Sequence, residues 1–199
     1  MMTDGVGGRG SATRARLLAA ALDGFVNRGY HGTTTAFLAE RTGIAEGTIY
    51  RHYRGKDALY SAVALQAWEQ AAAVVLEEPA SRVSARERLA HAGRRLVREA
   101  AAAPLMIRFV LGEQERDRLD EPARRAADRF REAVVQLVAS GKQEGAVRSG
   151  TAELWAAVWI AVVSVVCERV ARGEWGAEHP NVDLALEGVW GAIGVRREE

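Results

Sequence analysis

The stretch from Thr33 to Leu59, TTTAFLAERTGIAEGTIYRHYRGKDAL, decides the fold of this chain. It predicts two short helices joined by a tight turn and followed by the start of a third helix. The hydroxyl side chains of residues 33–35 can cap the first of these helices. Gly43 lies where that helix has to end, because glycine tolerates the positive φ that a helix C-terminus requires. We therefore predict a helix-turn-helix over this stretch.

The second helix of the pair, from Ala45 to about Tyr53, separates an inner face from an outer face. Ile49 and Tyr53 are four residues apart and fall on one side of the helix. Its other side carries the polar residues Glu46, Thr48, Arg51 and His52, with Tyr50 at the flank. A short helix with a donor-rich outer face, braced by a partner at a sharp angle, is how a helix-turn-helix offers side chains to the DNA major groove.

The order of residues from Gly29 to Leu59 also resembles a known family. It reads G-Y-x-x-T-T-x-x-x-L-A-x-x-x-G-I-x-x-G-T-I-Y-x-H-Y-x-x-K-D-x-L and is similar to the DNA-binding region of TetR-type (TetR/AcrR) transcriptional regulators. With the helix that precedes it, the resemblance covers roughly the first third of the chain. The remainder of the chain matches no motif, so its assignment depends on helical periodicity and on what accompanies such an N-terminus.

The resemblance implies DNA-contacting roles for nine residues. Phosphate contacts are implied for Thr34, Thr35, Thr48, Tyr50 and Lys56. Reading of base edges is implied for Glu46, Arg51 and His52. Gly47 matches a position where a small residue lets the second helix approach the DNA. The backbone N–H groups at the start of the first helix also favour an anion such as phosphate.

The charge is distributed in a way that suits this prediction. The net charge of the chain is only +1, but residues 1–60 hold eight Lys and Arg against five Asp and Glu, which is +3, and residues 61–199 hold nineteen against twenty-one, which is −2. Nucleic-acid binding depends on local positive potential more than on the overall charge. The excess coincides with the predicted helix-turn-helix.

The composition excludes several other classes of protein. With a single cysteine, Cys167, the chain has no internal disulfide framework and no four-cysteine zinc site. No secretory signal is visible at the N-terminus, and the longest uncharged apolar run, from Leu154 to Cys167, is too short to span a bilayer. We therefore expect a cytoplasmic protein that makes no membrane contact.

Apolar spacing predicts only helices, about nine in all, so the expected fold class is all-α. The first runs from about Ala12 to Asn27, after a loose leader. Beyond the helix-turn-helix, helices are predicted over 56–77, 85–102, from Pro104, over 122–140, 152–172 and 182–193. We expect a DNA-binding domain over residues 10–56 and a helical regulatory and dimerisation domain over residues 57–199.

The penultimate helix is apolar on nearly every side from Leu154 to Val166. A helix that is apolar all round has to be covered all round, and one chain of this size covers only part of it. We therefore expect a homodimer in which the last two helices of each copy form a four-helix interface. The family resemblance implies the same arrangement. The alternative is that this helix is the central helix of a monomer.

Four residues on the apolar helices downstream are candidates for lining a ligand cavity: His91, Phe109, Trp155 and Trp159. The alternative for each is core or dimer packing, because polar atoms on apolar helices usually have structural partners. No spacing of residues suggests a metal site, a phosphate loop or a nucleophilic triad. We therefore expect no enzymatic activity and no cofactor.

The leading hypothesis is a dimeric transcriptional regulator, most simply a repressor, that binds an inverted-repeat operator in double-stranded DNA and responds to a small-molecule effector of unknown identity. The second hypothesis is a helical small-molecule-binding protein or enzyme with a vestigial DNA-binding head. The presence of Thr34, Tyr50, His52 and Lys56 together argues against such decay of the head. A third is an architectural DNA-binding protein without an effector.

Overall fold

The computed structural model describes residues 5–77, 83–112 and 115–195. Over these ranges the chain folds into nine α-helices and one 3-10 helix, Arg116–Arg118. The α-helices are α1 (Gly5–Gly32), α2 (Thr35–Thr42), α3 (Glu46–His52), α4 (Lys56–Leu76), α5 (Ala85–Ala102), α6 (Pro104–Leu111), α7 (Glu121–Gln143), α8 (Ala152–Ala171) and α9 (Pro180–Ile193). The extended pairing found in the described ranges is an isolated bridge between Val147 and Gly194. The predicted all-α class is confirmed.

The first helix differs most from its predicted form. It begins at Gly5, whereas the sequence predicted a loose leader and a start near Ala12. Gly29 adopts φ 72° and ψ 174° inside it, so the helical path is broken there and the chain turns before Tyr30. A positive φ of this size favours glycine over residues with a Cβ. The kink directs the ring of Tyr30 onto Phe25, whose ring centroid lies 6.1 Å away.

The chain divides into two compact units. The first comprises residues 1–66 and 113–124, and the second comprises residues 67–112 and 125–199. The predicted boundary after residue 56 stays a prediction. The chain passes from one unit to the other inside α4, again between α6 and the 3-10 helix, and again inside α7. The first unit therefore includes a segment more than fifty residues away from the helix-turn-helix in the sequence.

The first unit is built around a small apolar core. Leu17 of α1, Leu38 of α2, Ile49 of α3 and Leu59 of α4 are almost completely buried. Each of helices α1 to α4 thus contributes a side chain to the buried interior of this unit. This packing holds α2 and α3 in place without using the outer face of α3.

The second unit packs α5, α6, α8 and α9 against one another. Trp159 of α8 and Phe130 of α7 are among its largest fully buried side chains. Helix α5 starts with a capping box, in which the Ser84 hydroxyl accepts from the Glu87 amide and the Glu87 carboxylate accepts from the Ser84 amide. Cys167 is buried, and burial raises the pKa of its thiol to about 12. This thiol therefore stays protonated and packs as a small apolar group.

By its length and apolar composition, helix α8 could cross a membrane. About 33% of its apolar stretch is buried inside the protein. One helix of this kind is weak evidence for a membrane protein, because the core helix of a globular protein can have the same length and composition. Helix α8 contacts α5, α6 and α9 in the second unit. Its apolar character is therefore explained in part by the core that it occupies.

Candidate nucleic-acid interface

The helix-turn-helix forms where the sequence predicted it. Helix α2 ends at Gly43, which adopts φ 66° and donates its backbone N–H to the carbonyl oxygen of Ala39. Ile44 is buried in the corner that follows. Helix α3 then turns Ile49 and the adjoining Tyr53 inward, and both are buried. The inner face predicted for α3 is confirmed.

The opposite face of α3 is open to solvent. Tyr50 is 52% exposed, and Arg51 and His52 are exposed beside it at the C-terminal end of the helix. Glu46 and Gly47 are exposed at its start, and Thr48 is half-buried. A Cβ atom added at Gly47 would meet nothing within 4 Å, so the fold of the chain itself does not require glycine there.

Three successive threonines at the start of α2 have three different roles. Thr33 is fully buried, and its hydroxyl donates to the carbonyl oxygen of Gly29 at 2.9 Å. Thr34 is the N-cap, and its hydroxyl accepts from the backbone N–H of Phe37 at 3.1 Å. Thr35 is the first residue of the helix. The sequence suggested all three as caps, and the structure assigns that role to Thr34.

A polar cluster joins α2 to the outer face of α3. The Thr35 hydroxyl donates to the Glu46 carboxylate at 3.0 Å and lies 3.3 Å from the Tyr50 hydroxyl. The sequence predicted separate DNA contacts for these three residues, whereas the structure brings them together. The cluster orients the Glu46 carboxylate and the Tyr50 phenol at the exposed edge of the helix pair.

Lys56 lies at the first residue of α4 and is half-buried. Its ammonium group donates to the carbonyl oxygen of Tyr30 at 3.0 Å and lies 4.1 Å from the centroid of the Tyr30 ring. A lysine ammonium has three N–H donors, so this bond leaves donors for a second partner. The sequence predicted only a phosphate contact for Lys56. The structure adds a role in holding α4 against the end of α1.

Several arginines of the first unit are already occupied by the fold. Arg14 donates to the Tyr53 hydroxyl at 3.0 Å, Arg16 donates to the Thr42 carbonyl oxygen at 3.2 Å, and Arg41 pairs with Asp23 at 2.9 Å. In the described ranges, Arg51 and Arg54 make no ion pair or hydrogen bond through their side chains. Both guanidinium groups are exposed, as is His52, and all three lie on or directly after α3.

Of the four residues predicted to line a ligand cavity, two lie at the same pocket and two do not. His91 and Trp159 border one pocket of about 310 Å³ between α5, α8 and α9 in the second unit. Trp155 instead donates its indole N–H to the Ser149 carbonyl oxygen at 3.0 Å, and Phe109 is buried on α6 outside this pocket. Within the described part of the chain, no group of His, Cys, Asp or Glu side chains is placed to hold a metal ion.

Comparison with known proteins gives the same picture of the first unit. Residues 17–63 match the model of the bacterial regulatory proteins of the tetR family. The HTH-type transcriptional regulator UidR of Escherichia coli (strain K12) is 35% identical over 72 residues, which are 36% of this chain and 37% of UidR. The HTH-type transcriptional repressor Rv1474c of Mycobacterium tuberculosis is 37% identical over 68 residues, which are 34% of this chain and 36% of that protein. The chain thus aligns with little more than a third of these relatives' length.

The likeness in fold extends over nearly the whole chain. A TetR family transcription regulator from Marinobacter aquaeolei VT8 superposes with a TM-score of 0.77 and 20% identity, covering 95% of this chain and 99% of the other. At this identity the likeness establishes the fold alone. Residues 17–63 thus match the tetR family in sequence, and the fold of nearly the whole chain is that of TetR family regulators.

The N-cap role of Thr34 gives a testable expectation. We expect Thr34→Val to lower the free energy of unfolding by about 1 kcal/mol, because the hydroxyl that caps α2 is removed at nearly constant side-chain volume. Urea unfolding followed by circular dichroism measures this change. Thr34→Ser retains the hydroxyl and is the matched control. Equal destabilisation by both variants would contradict the capping role.

Proposed function

We propose that this protein is a regulator of the TetR family: a cytoplasmic, dimeric repressor that binds an inverted-repeat operator through α3 and is released from DNA by a small-molecule effector. The single observation that carries the DNA-binding proposal is the outer face of α3. It combines exposure, unpaired donors within the described ranges and independence from the core of the first unit. An enzyme with a decayed head would have no reason to keep these features together.

We assign the DNA contacts to two groups by their place on the helix-turn-helix. Thr34, Thr35 and Lys56 lie at helix N-termini, where backbone N–H groups and a cation favour a phosphate. Arg51 and His52 lie on the exposed face of α3 and have side chains long enough to reach base edges. Arginine has a donor fork that matches the major-groove edge of guanine. Gly47 leaves room for the DNA backbone, because nothing in the described part of the chain fills the space beside it.

Removing a contact to a base should lower the affinity for the operator more than the affinity for random DNA, whereas removing a contact to a phosphate should lower both. We expect Arg51→Ala and His52→Ala each to weaken operator binding by about 1–3 kcal/mol, with a smaller effect on random duplex. Arg98, an exposed arginine of α5, is a charge-matched control, and Arg98→Ala is expected to leave both affinities unchanged. The measurement is fluorescence anisotropy with operator and random duplex, the operator first being selected from random sequences.

An intact preference for the operator in both variants would mean that α3 is not the reading element. The symmetry of the selected sites is a second test. A two-fold dimer with two recognition helices selects inverted repeats, with half-sites about one helical turn apart or somewhat more. Direct repeats or single half-sites would contradict the dimeric mode of binding.

The proposed dimer surface lies on α8 and α9. Large apolar side chains are exposed on both helices, with Val165 of α8 60% exposed and Leu184 of α9 64% exposed. Along α8, the exposed residues 154, 157, 161 and 165 recur at helical spacing and are all uncharged. On α9, Gly188 and Gly191 are exposed, and a Cβ at either would meet nothing within 4 Å. An apolar stripe beside a smooth glycine surface suits close packing of helices from two copies.

A charge in this stripe should separate the two copies. We expect Val165→Glu to convert a dimer into a folded monomer, because a carboxylate in a dry interface has no partner and is costly to bury. Sedimentation equilibrium measures the mass. Leu76→Glu places the same charge at another exposed apolar residue, at the end of α4, and is expected to remain dimeric. A dimeric Val165→Glu variant would show that α8 does not form the interface.

We propose the pocket between α5, α8 and α9 as the effector site. Its apolar lining comes from Leu89, Trp159, Leu186, Val189, Trp190 and Ile193. Charged and polar side chains also border it, among them His91 and Arg94. The Trp159 indole N–H is buried and has no hydrogen-bond partner among the described residues. A pocket of this size and lining suits a small molecule with an apolar body and a polar or anionic end.

Filling the pocket should abolish the response to ligand but not DNA binding. A panel of small aromatic and aliphatic acids is first screened for a compound that raises the melting temperature of the wild-type protein. Ala90→Trp places a large side chain in the lining of the pocket. We expect this variant to bind operator normally but to show no increase in melting temperature with that compound. Ala101→Trp, at an exposed position of the same helix, is the control and should keep the response. If Ala90→Trp bound the compound as tightly as the wild-type protein, the effector site would lie elsewhere.

A further inference from the structure

We propose that Arg118 is a positioning residue for DNA binding, because it contacts Tyr30, on which the Lys56 ammonium lies, and Asp57, which follows Lys56 in α4. The inference rests on the proposed phosphate contact of Lys56. Arg118 lies in the 3-10 helix between α6 and α7, far outside the residues that match the family model. It nevertheless belongs to the same compact unit as the helix-turn-helix.

Tyr30 is the centre of this arrangement. The Arg118 guanidinium carbon lies 4.2 Å from the centroid of the Tyr30 ring, and the Lys56 ammonium lies 4.1 Å from it. The Tyr30 hydroxyl donates to the Asp57 carboxylate. Burial is the main cause that raises the pKa of Tyr30 to about 12, and the hydrogen bond to Asp57 adds to it. The phenol is neutral at physiological pH, and the face of its ring attracts both cations.

Asp57 links Arg118 to the residue next to Lys56. The Arg118 guanidinium lies 3.6 Å from the Asp57 carboxylate and 3.6 Å from the Glu115 carboxylate. Asp57 follows Lys56 directly in the first turn of α4. A carboxylate beside a proposed phosphate site repels DNA unless a cation neutralises it. Arg118 is placed to neutralise Asp57 while leaving the Lys56 ammonium available.

The segment that carries Arg118 is fastened to α4 by uncharged hydrogen bonds as well. The Ser61 hydroxyl, which is buried, donates to the Arg118 carbonyl oxygen at 3.3 Å and accepts from the Asp120 amide at 2.9 Å. The Tyr60 hydroxyl accepts from the Glu115 amide at 3.2 Å. Leu119, which lies between Arg118 and Asp120 in the sequence, is buried. The backbone around Arg118 is thus fixed independently of its side chain, which favours correct folding when that side chain is changed.

This arrangement makes the geometry of Lys56 dependent on residues 115–120. The same segment connects α6 to α7, and both of these helices contribute to the second unit. A change in α6 or α7 that displaced Arg118 would remove one of the two cations on Tyr30 and leave the Asp57 charge uncompensated. Binding of DNA would then weaken without any change in α3 itself.

A double-mutant cycle on the full-length protein tests this inference. Operator and random duplex are titrated at several salt concentrations with wild type, Arg118→Ala, Lys56→Ala and the double variant. We expect Arg118→Ala to weaken both affinities about fivefold, equivalent to about 1 kcal/mol. The double variant should bind much more tightly than the product of the two single losses predicts, because both substitutions remove the same phosphate contact. Each should flatten the salt dependence by up to about 0.9 for every phosphate that is no longer neutralised.

Three further variants separate positioning from general charge and from stability. Arg116→Ala removes an exposed cation from the same 3-10 helix and is expected to have a smaller effect on affinity. Arg118→Lys keeps the charge but lacks the planar fork, so we expect partial recovery. Arg118→Gln tests the same role at similar length if the alanine variant is poorly folded. Melting temperatures are recorded for every variant, with all titrations well below them.

The outcomes distinguish this inference from the proposed function. A lower melting temperature for Arg118→Ala and Arg118→Gln with unchanged DNA affinity would make Arg118 merely structural. If the loss of affinity in the double variant equals the product of the two single losses to within about twofold, Arg118 does not act through Lys56. Normal affinity in Lys56→Ala would also overturn the inference, although operator reading by Arg51 would survive. Normal operator affinity and preference in the Arg51, His52 and Lys56 variants together would overturn the proposed function itself.

Discussion

The burial of one side chain from each of helices α1 to α4 is the constraint on which the rest of the structure depends. Leu38 and Ile49 turn the inner faces of α2 and α3 into the same core that receives Leu17 and Leu59. Complete burial of such side chains contributes roughly 1.5–3 kcal/mol each. Because this core takes all its apolar residues from the inner faces, the outer face of α3 is free to vary in sequence without loss of the fold. Stability and DNA reading are thereby separated on a helix of only seven residues.

The helix-turn-helix could be predicted because its signals are local. A hydroxyl before α2, a glycine at the end of it and the i, i+4 pair Ile49 and Tyr53 each act within a few residues of one another. The structure confirms the turn at Gly43 and the inner and outer faces of α3. The start of α1 was predicted wrongly. Gly-rich sequences have low intrinsic helix propensity, so a loose leader was expected, yet residues 5–11 are helical.

The contacts that span long distances in sequence could not be predicted in the same way. Nothing in the charged run around Arg118 indicates that it meets Tyr30, because a charge on a short irregular segment has no periodicity to fix its direction. The same is true of Thr35, which meets Glu46 and Tyr50 only because α2 and α3 cross at a particular angle. Trp155 and Trp159 illustrate the limit within one helix. They are four residues apart, yet one bonds to the Ser149 carbonyl oxygen and the other borders a pocket.

Lys56 shows why a residue can match a DNA-binding pattern and also support the fold. Its ammonium lies over the Tyr30 ring and donates to the Tyr30 carbonyl oxygen, so the side chain loses conformational freedom before DNA binds. Ordering a free lysine side chain costs up to about 2 kcal/mol. A lysine that is already ordered by one hydrogen bond and one aromatic ring therefore binds a phosphate with a smaller entropic loss. In this protein the ordering depends on Tyr30, whose position depends in turn on the kink at Gly29 and on the cation supplied by Arg118. The strength of the proposed backbone contact is thus set by residues that need never touch the DNA.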